Sequence, residues 1–305
     1  MRVIITGGTG LIGKALSARL ATEGHEPIVL TRDPEKAKGK LPEGVRAAAW
    51  DGKTGAGWSQ LIDAGTTIVH LAGAGVADER WTEERKREIR DSRLDSGAAV
   101  LAAIREAPAK PRALLQASAV GYYGPRGDEP IDENEPPGDT FLAEVCVEWE
   151  ASTREVEAQG IRRAILRTGL VLDADEGALG KMLLPAKFGA NGPLGSGDQG
   201  FPWIHLEDEI GAIRFLIDRD DASGPFNLTA PNPPTQAEFA KALGHVLHRP
   251  SFVPAPAFAL RLALGEMAEM LLTGQRVVPK RLLELGYRFR FPDLEKALAD
   301  LLAEK

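Results

Sequence analysis

The sequence predicts an α/β protein: a doubly wound, mostly parallel sheet flanked by helices, with a smaller C-terminal lobe. Two observations carry this. Short apolar, β-branched runs alternate with helical patterns through the first half of the chain, an alternation that requires crossover connections and a parallel sheet. And the chain opens on MRVIITGGTGLIGKAL, in which a strand-like run (Val3 to Thr6) meets Gly7, Gly8, Gly10 and Gly13 and then a helical pattern with Leu11, Leu16 and Leu20. Strand, glycine turn and helix in that order form the dinucleotide-binding arrangement. The first glycines allow the tight turn, Gly10 lets backbone approach a pyrophosphate, and Gly13 lets the helix pack on its strand. The helix N-terminus offers free N–H groups and the positive end of its dipole.

Further strands are expected at 27–31 (PIVLT), 45–50, 67–72 (TIVHLA), 113–118 (ALLQAS) and 163–168 (RAILRT). Helices are expected at 82–106 and 140–159. These elements assign residues 1–172 to a dinucleotide-binding Rossmann domain. A helix near 207–218 and a strand near 225–229 return to it, so that about 205–230 belongs there as well. Gly and Pro crowd residues 189–202 (GANGPLGSGDQGFP), which reads as a long loop. The rest of 173–305 reads as a smaller mixed α/β substrate lobe, with an amphipathic helix over 256–272 and another from Asp293.

Composition narrows the class. Of 305 residues, 37 are basic and 44 acidic, for a net charge of −7. With no basic run interleaved with aromatics, nucleic acid is not an expected partner. The single cysteine, Cys146, allows no intrachain disulfide and fits a reducing, cytoplasmic setting. A strand starting at residue 2 leaves no secretory leader. The 256–272 stretch carries Arg261, Glu266 and Glu269 and is too polar to span a bilayer, so no membrane partner is expected. His70 and His205 have no neighbours at metal-ligand spacing, which predicts structural histidines and no metal. A homo-oligomer is left open.

The end of the second strand selects the cofactor. An acid there binds a ribose 2′-hydroxyl, and an arginine accepts a 2′-phosphate. Here stand Thr31 and Arg32, followed by Asp33-Pro34, a helix N-cap with proline at the first helical position. The pair points to NADP(H).

Several motifs resemble the extended short-chain dehydrogenase/reductases, the relatives of nucleotide-sugar epimerases and dehydratases. They are TGGTGLIG (6–13), HLAGAG (70–75), SAVGYYG (118–124), LRTGLVL (166–172) and WIHLED (203–208). More narrowly, WTEERKREIRDSR (81–93), FLAEVCVEWE (141–150), GPLGSGDQGFPWIH (192–205) and the tail 265–292 are similar to an atypical branch, the "epimerase family proteins". The resemblance covers essentially the whole chain, and its C-terminal domain has no assigned role. It implies a cofactor site of Gly7, Thr9, Gly10, Leu11 and Ile12 at the pyrophosphate, with Thr31 and Arg32 at the 2′-phosphate. Asp51 falls near adenine, and Leu71, Ala72 and Gly73 at the fourth strand's end. Arg93 takes the place of a cofactor-facing asparagine, with Glu88 about one turn earlier, and Val171 flanks the nicotinamide. The competing reading of Glu88 and Arg93 is a surface ion pair with each other.

One departure decides the chemistry. Working members of that family carry a Tyr-x-x-x-Lys helix, the lysine lowering the tyrosine's pKa so that it exchanges a proton with the substrate. Here that helix reads FLAEVCVEWE, placing Phe141 or Leu142 at the tyrosine position and Val145 or Cys146 at the lysine. Ser118 precedes the loop and is a candidate catalytic residue, although Ala119 falls at the usual hydroxyl position. Tyr122 and Tyr123 are the substitute acids, with Glu144 a weaker one. Three readings stay open: an NADP-dependent oxidoreductase or epimerase with a non-standard site acting on a small or nucleotide-sugar-like molecule; a redox-inactive NADP(H)-binding sensor or interaction module; or an isomerase or lyase using the cofactor structurally. Residues 192–205 are expected to cover the substrate as a mobile segment, with Gln199 and Trp203 lining it.

Overall fold

The computed structural model describes residues 1–303. Nine strands form: β1 (Arg2–Thr6), β2 (Glu26–Thr31), β3 (Arg46–Ala49), β4 (Thr67–His70), β5 (Ala113–Ala119), β6 (Arg162–Thr168), β7 (Leu170–Leu172), β8 (Trp203–His205) and β9 (Gly224–Leu228). The helices of the first domain are α1 (Leu11–Thr22), α2 (Pro34–Lys38), α3 (Glu83–Glu106), α4 (Phe141–Ser152) and α5 (Glu155–Ala158). Then come α6 (Gly177–Lys187), α7 (Leu206–Asp218), α8 (Gln236–Val246), α9 (Ala257–Leu264), α10 (Glu269–Leu272), α11 (Lys280–Glu284) and α12 (Leu294–Leu302).

Seven strands make one parallel sheet in the order β3-β2-β1-β4-β5-β6-β9, doubly wound as the alternation predicted. Order reverses between β1 and β4, the switch point outside which such sheets bind ligands. The central strands are apolar on both faces because helices cover both. Leu16 and Leu20 of α1 and Ile213, Leu216 and Ile217 of α7 bury one face. Val100, Ala103 and Ile104 of α3, with Trp58 and Val156, bury the other. β9 pairs with β6, so the chain returns to the sheet after leaving it at β7. A second cluster, with Leu172, Leu183, Trp203, Phe239 and Leu298, holds β7, β8, α6, α8 and α12 together.

Two expected helices are broken. The 140–159 pattern stops at Ser152, where the side chain of Thr153 turns inward to donate to Gln116, and α5 resumes at Glu155. The 256–272 stretch is α9, a 3₁₀ turn and α10, broken at Gly265 with φ +64°. Neither α9 nor α10 buries a residue, so the expected core helix is instead a surface one.

The WIHLED segment locks the lobe to the sheet. Trp203 is fully buried. His205 caps α7 by accepting the Glu207 N–H (3.0 Å), and its ring stacks on Phe291 at 4.0 Å. Asp208 accepts the N–H groups of Arg290 (2.7 Å) and Phe291 (2.8 Å). Glu209 is fully buried, with Thr168 Oγ1 donating to it at 2.9 Å and its second oxygen unpaired among the described residues.

Burial pushes the Glu209 carboxyl up to about 8, the Thr168 hydrogen bond only partly opposing it. The folded chain therefore keeps a proton that the unfolded chain, near its ordinary 4.5, releases. Stability falls as pH rises through that window, by at most about 1.4 kcal/mol per pH unit. Burial pushes His70 down to about 4 and also lowers His25 and His205, a contribution of opposite slope that fades above their ordinary 6.5. Because burial also raises Glu133, the comparison with a Glu209 variant over pH 6.5 to 8 assigns the slope. Urea unfolding across that range is expected to show a falling stability that Glu209→Gln abolishes. A wild-type profile that stays flat there would contradict the assignment.

Candidate functional site

The site is built at the C-terminal ends of β1, β4, β5 and β6. Gly7 has φ +68°, and a Cβ there would lie 2.8 Å from the backbone of Leu71, so the turn after β1 can cross the end of β4 only as glycine. Gly8 faces Val29, where a Cβ would come within 2.6 Å, and a Cβ on Gly13 would lie 2.5 Å from Gly8 Cα, so only glycine lets the first turn of α1 pack there. A Cβ on Gly10 would meet only the Gly7 carbonyl, at 3.5 Å, which leaves its outer side open. Gly10 N–H bonds back to Gly7, and α1 begins with no side-chain cap. Among the described residues the N–H groups of Leu11, Ile12 and Gly13 have no acceptor. Exposed Thr9 and half-buried Leu11 and Ile12 surround these donors. This cradle suits a phosphate.

At the end of β2, Arg32 is exposed and makes no ion pair or hydrogen bond among the described residues. Asp33 caps α2 by accepting the Lys36 N–H (3.0 Å), and Thr31 Oγ1 accepts the Asp33 N–H (3.4 Å). Asp33 therefore has its own task, and the guanidinium beside it is free. Asp51, just past β3, spends its carboxylate on Lys53 and Thr54 (2.7–2.8 Å), bonds that hold it below the usual carboxylate range. A role at adenine would have to come from its surface rather than from an open acceptor.

The HLAGAG loop is pinned from below and from α3. Thr6 Oγ1 accepts the N–H groups of Leu71 (3.1 Å) and Ala72 (3.2 Å) and so donates to His70 Nδ1 (2.7 Å). His70 is therefore a buried, neutral structural histidine. From α3, Arg85 donates to Gly75 O (2.5 Å), Ser92 Oγ accepts the Ala74 N–H (3.0 Å), and Arg93 donates to Ala74 O (3.0 Å) and Ile89 O (2.8 Å). A Cβ on Gly73 would press on the Arg93 side chain, 3.2 Å from its Cγ and Cζ. Arg93 stacks on Trp149 at 4.8 Å and pairs with no carboxylate among the described residues; burial, with Arg85 nearby, lowers its pKa. The alternative Glu88–Arg93 pair does not form, because exposed Glu88 pairs with Arg85 at 2.5 Å. Arg93 is thus a half-buried guanidinium beside the loop after β4 whose acceptors among the described residues are backbone carbonyls alone. Arg85 and Ser92 were missed by sequence reasoning; their spacing along α3, each about one turn from Glu88, was the available signal.

Opposite, Val171 sits in β7 in register with Ile204. The link from β7 to α6 folds over the glycine turn: Glu176 pairs with Lys14, and Gly177, at φ +75°, faces Leu11.

The floor is a buried polar network that no single sequence motif announces. Arg167 and Glu150 form a two-pronged ion pair, Nε to Oε1 at 2.8 Å and Nη2 to Oε2 at 2.9 Å. Burial disfavours the Arg167 charge, but Glu150 outweighs it and holds the pKa above its usual value. Ser118 Oγ donates to Glu150 (2.7 Å), which removes it from any substrate-facing role. Tyr123 is fully buried, donates to Asn227 (2.7 Å), and accepts from Arg167 (3.1 Å). Burial pushes its pKa up to about 12. These contacts correct the expectation that Ser118 and Tyr123 are open catalytic groups. Tyr122 differs: it is half-buried, its hydroxyl has no partner among the described residues, and the Arg167 guanidinium lies 3.5 Å from its ring centre.

The missing relay also finds its register. Leu142 Cβ comes 3.6 Å from where a Gly121 Cβ would stand, and Cys146 Sγ lies 3.8 Å from Ala119 O. Phe141 turns away to meet Trp81 edge-on at 5.3 Å. Of the two readings it is therefore Leu142 and Cys146 that pack against the end of β5 and the turn after it, and burial pushes the thiol up to about 11. The glycine-rich cover is packed rather than loose. Gln199 donates to Leu194 O (3.1 Å) and Leu271 O (2.6 Å), while Trp203 lies in the core, so neither lines an open pocket.

The profile of the NAD dependent epimerase/dehydratase family matches residues 3–229. The chain belongs to that family. A domain of unknown function (DUF1731) matches residues 255–301. Epimerase family protein YfhF of Bacillus subtilis is 38% identical, covering 100% of this chain and 99% of the relative. Epimerase family protein SDR39U1 of Mus musculus is 37% identical, covering 99% and 100%. The crystal structure of human epimerase family protein SDR39U1 (isoform 2) with NADPH has a TM-score of 0.88 and 35% identity, covering 99% of each chain. Thermus thermophilus UDP-glucose 4-epimerase, at 21% identity and a TM-score of 0.75, shares the fold.

Tyr122 and Tyr123, adjacent in sequence, are therefore expected to behave oppositely. Tyr123→Phe orphans Asn227 and part of Arg167 and should cost about 1–3 kcal/mol of unfolding free energy. Tyr122→Phe should cost less than about 0.5 kcal/mol. Equal losses in urea denaturation would refute the division.

Proposed function

We propose that this family member binds NADP(H) and reduces a small carbonyl compound slowly, with Tyr122 as the proton donor. The observation that carries the reading is the pairing of an uncapped phosphate cradle with a free Arg32 at the end of β2. Similarity to an SDR39U1 structure crystallised with NADPH supports it. In this reading the amides of Leu11 to Gly13 hold the pyrophosphate and Arg32 the 2′-phosphate. Arg93 offers its guanidinium to an oxygen of the cofactor at the end of β4, and Val171 flanks the nicotinamide. NADPH, when bound, supplies a hydride.

Tyr122 is the one phenol of the loop with an unoccupied hydroxyl. It presents a proton to the substrate oxygen, and the Arg167 guanidinium against its ring fixes the ring's position. Without a lysine partner the phenol is a serviceable weak acid and a poor base at neutral pH, so reduction is favoured over alcohol oxidation. The substrate is an unidentified small or nucleotide-sugar-like molecule. A second reading, a redox-inactive NADP(H) sensor, is favoured by one observation: Leu142 and the buried thiol Cys146, which offer no proton relay, are the side chains that pack against the end of β5 and the turn after it.

Calorimetry tests the cofactor. Arg32→Ala should weaken NADPH binding by about 1.5–3 kcal/mol, the worth of a charge-assisted contact, and leave NADH binding nearly unchanged. Equal losses for both would overturn the 2′-phosphate assignment. Given any turnover, Tyr122→Phe should lower it by at least about tenfold; full activity in that variant would leave the sensor reading in its place.

A further inference from the structure

The exposed large apolar side chains of the described residues are not spread evenly. Met1, Val147 and Leu283 stand apart, but Leu184, Phe188, Phe252, Val253, Phe258 and Leu262 fall in two stretches, 184–188 and 252–262. Leu184 and Phe188 are four residues apart at the end of α6, and Phe258 and Leu262 four apart on α9, so each pair lines one side of its helix. Backbone contacts join the segment that follows α6 to the segment that precedes α9. Val253 N–H donates to Asn191 O (3.1 Å), Ala255 N–H to Pro193 O (2.9 Å), and Gly195 N–H to Ala255 O (2.9 Å). Leu184, Phe188, Phe252, Phe258 and Leu262 are 65–83% exposed. They project from helix sides and a loop and enclose no groove.

The charge of this face is as uneven as its polarity. The chain carries 44 acidic residues and a net −7, yet residues 177–197 and 239–265 contain none, while they hold Lys181, Lys187, Lys241, Arg249 and Arg261. Arg261 is paired with Glu269 (2.9 Å). Lys187 and Arg249 are exposed and have no carboxylate partner among the described residues. Projecting aromatics and leucines flanked by unpaired cations match the boundary of an anionic bilayer, where apolar tips enter the headgroup region and cations meet lipid phosphates. A second copy fits less well, because a two-fold contact over this face would bring Lys187 and Arg249 toward their own counterparts.

We propose that the α6–α9 face docks on the surface of an anionic phospholipid membrane. Its place in the fold gives docking a consequence. Lys181 donates to Ala77 O (3.3 Å) and Arg80 to Leu262 O (2.8 Å), so both helices are tied to the loop that follows the HLAGAG turn. The face therefore borders the crevice, and a bound membrane would hold the site's entrance at the lipid boundary. The absence of a membrane-spanning helix among the described residues does not bear on this, since surface docking needs none. The expectation of no membrane partner, which rested on the lack of such a span, is replaced by this proposal.

Co-sedimentation with vesicles tests it. The full chain is expected to pellet with mixed phosphatidylcholine–phosphatidylglycerol vesicles, and about tenfold less with phosphatidylcholine alone or at high salt. Combined Phe188→Ala, Phe258→Ala and Leu262→Ala, and separately Lys187→Glu with Arg249→Glu, should each reduce binding to the mixed vesicles about tenfold. Circular dichroism and NADPH titration of the same variants should match the wild type. No co-sedimentation with mixed vesicles, equal binding to neutral ones, or a solution dimer that the apolar variant abolishes would each overturn the proposal. Failure of the wild type to bind NADPH would strike the cofactor reading and leave this one standing.

Discussion

The Arg167–Glu150 ion pair is the interaction on which the site stands. It joins the last turn of α4 to β6 and is almost wholly out of water. Desolvating two charges costs several kcal/mol per ion, offset only when geometry is good and the remaining donors and acceptors are used. Here they are. The guanidinium and carboxylate meet by two contacts, Ser118 donates to the carboxylate, and Arg167 also reaches Tyr123. Tyr123 passes the network to Asn227 of β9, whose N–H donates to Glu133 (3.0 Å) and whose side-chain amide donates to Val278 O (3.0 Å). One pair thus fixes β5, β6, β9, the loop before α4 and the segment entering α11. Tyr122 stacks on the outer side of that arginine, so its orientation is inherited from the buried pair.

A second anchor works on the opposite side of the sheet. His205, Asp208 and Glu209 tie β8 and the start of α7 to the tail at 290–291 and to the end of β6. The C-terminal segment is therefore attached to the sheet through buried polar contacts at both ends. That leaves α6 and α9, which meet the body mainly along its rim, free to present apolar side chains outward.

The glycine turn, the parallel order of the sheet and the helix cap at Asp33 were legible in the sequence because each is a local consequence of residue type: a positive φ, an alternation of periods, a carboxylate before proline. The family was legible because its motifs run the length of the chain. The errors have one physical source: local sequence does not say which way a side chain points. Tyr122 and Tyr123 lie in a 3₁₀ turn, Val120–Tyr123, where successive side chains diverge by about 120°. One is therefore half-buried with an unpartnered hydroxyl and the other fully buried in the core. What decides between them is Asn227, 104 residues away. Ser118 was drawn inward by Glu150, and Trp203 and Gln199 by packing against elements far along the chain. Arg93 and Glu88 are five residues apart, off the spacing that brings helix side chains together, and Arg85, three residues from the glutamate, captures it.

The most direct test of this account is a double-mutant cycle on the buried pair, read by urea unfolding with Glu150→Gln, Arg167→Met and both together. Each single change leaves its partner uncompensated in the interior and is predicted to cost about 3–5 kcal/mol. The double variant should lose at least about 2 kcal/mol less than the sum of the two. Additive losses, or single losses under about 1 kcal/mol, would contradict the claim that this pair holds up the site.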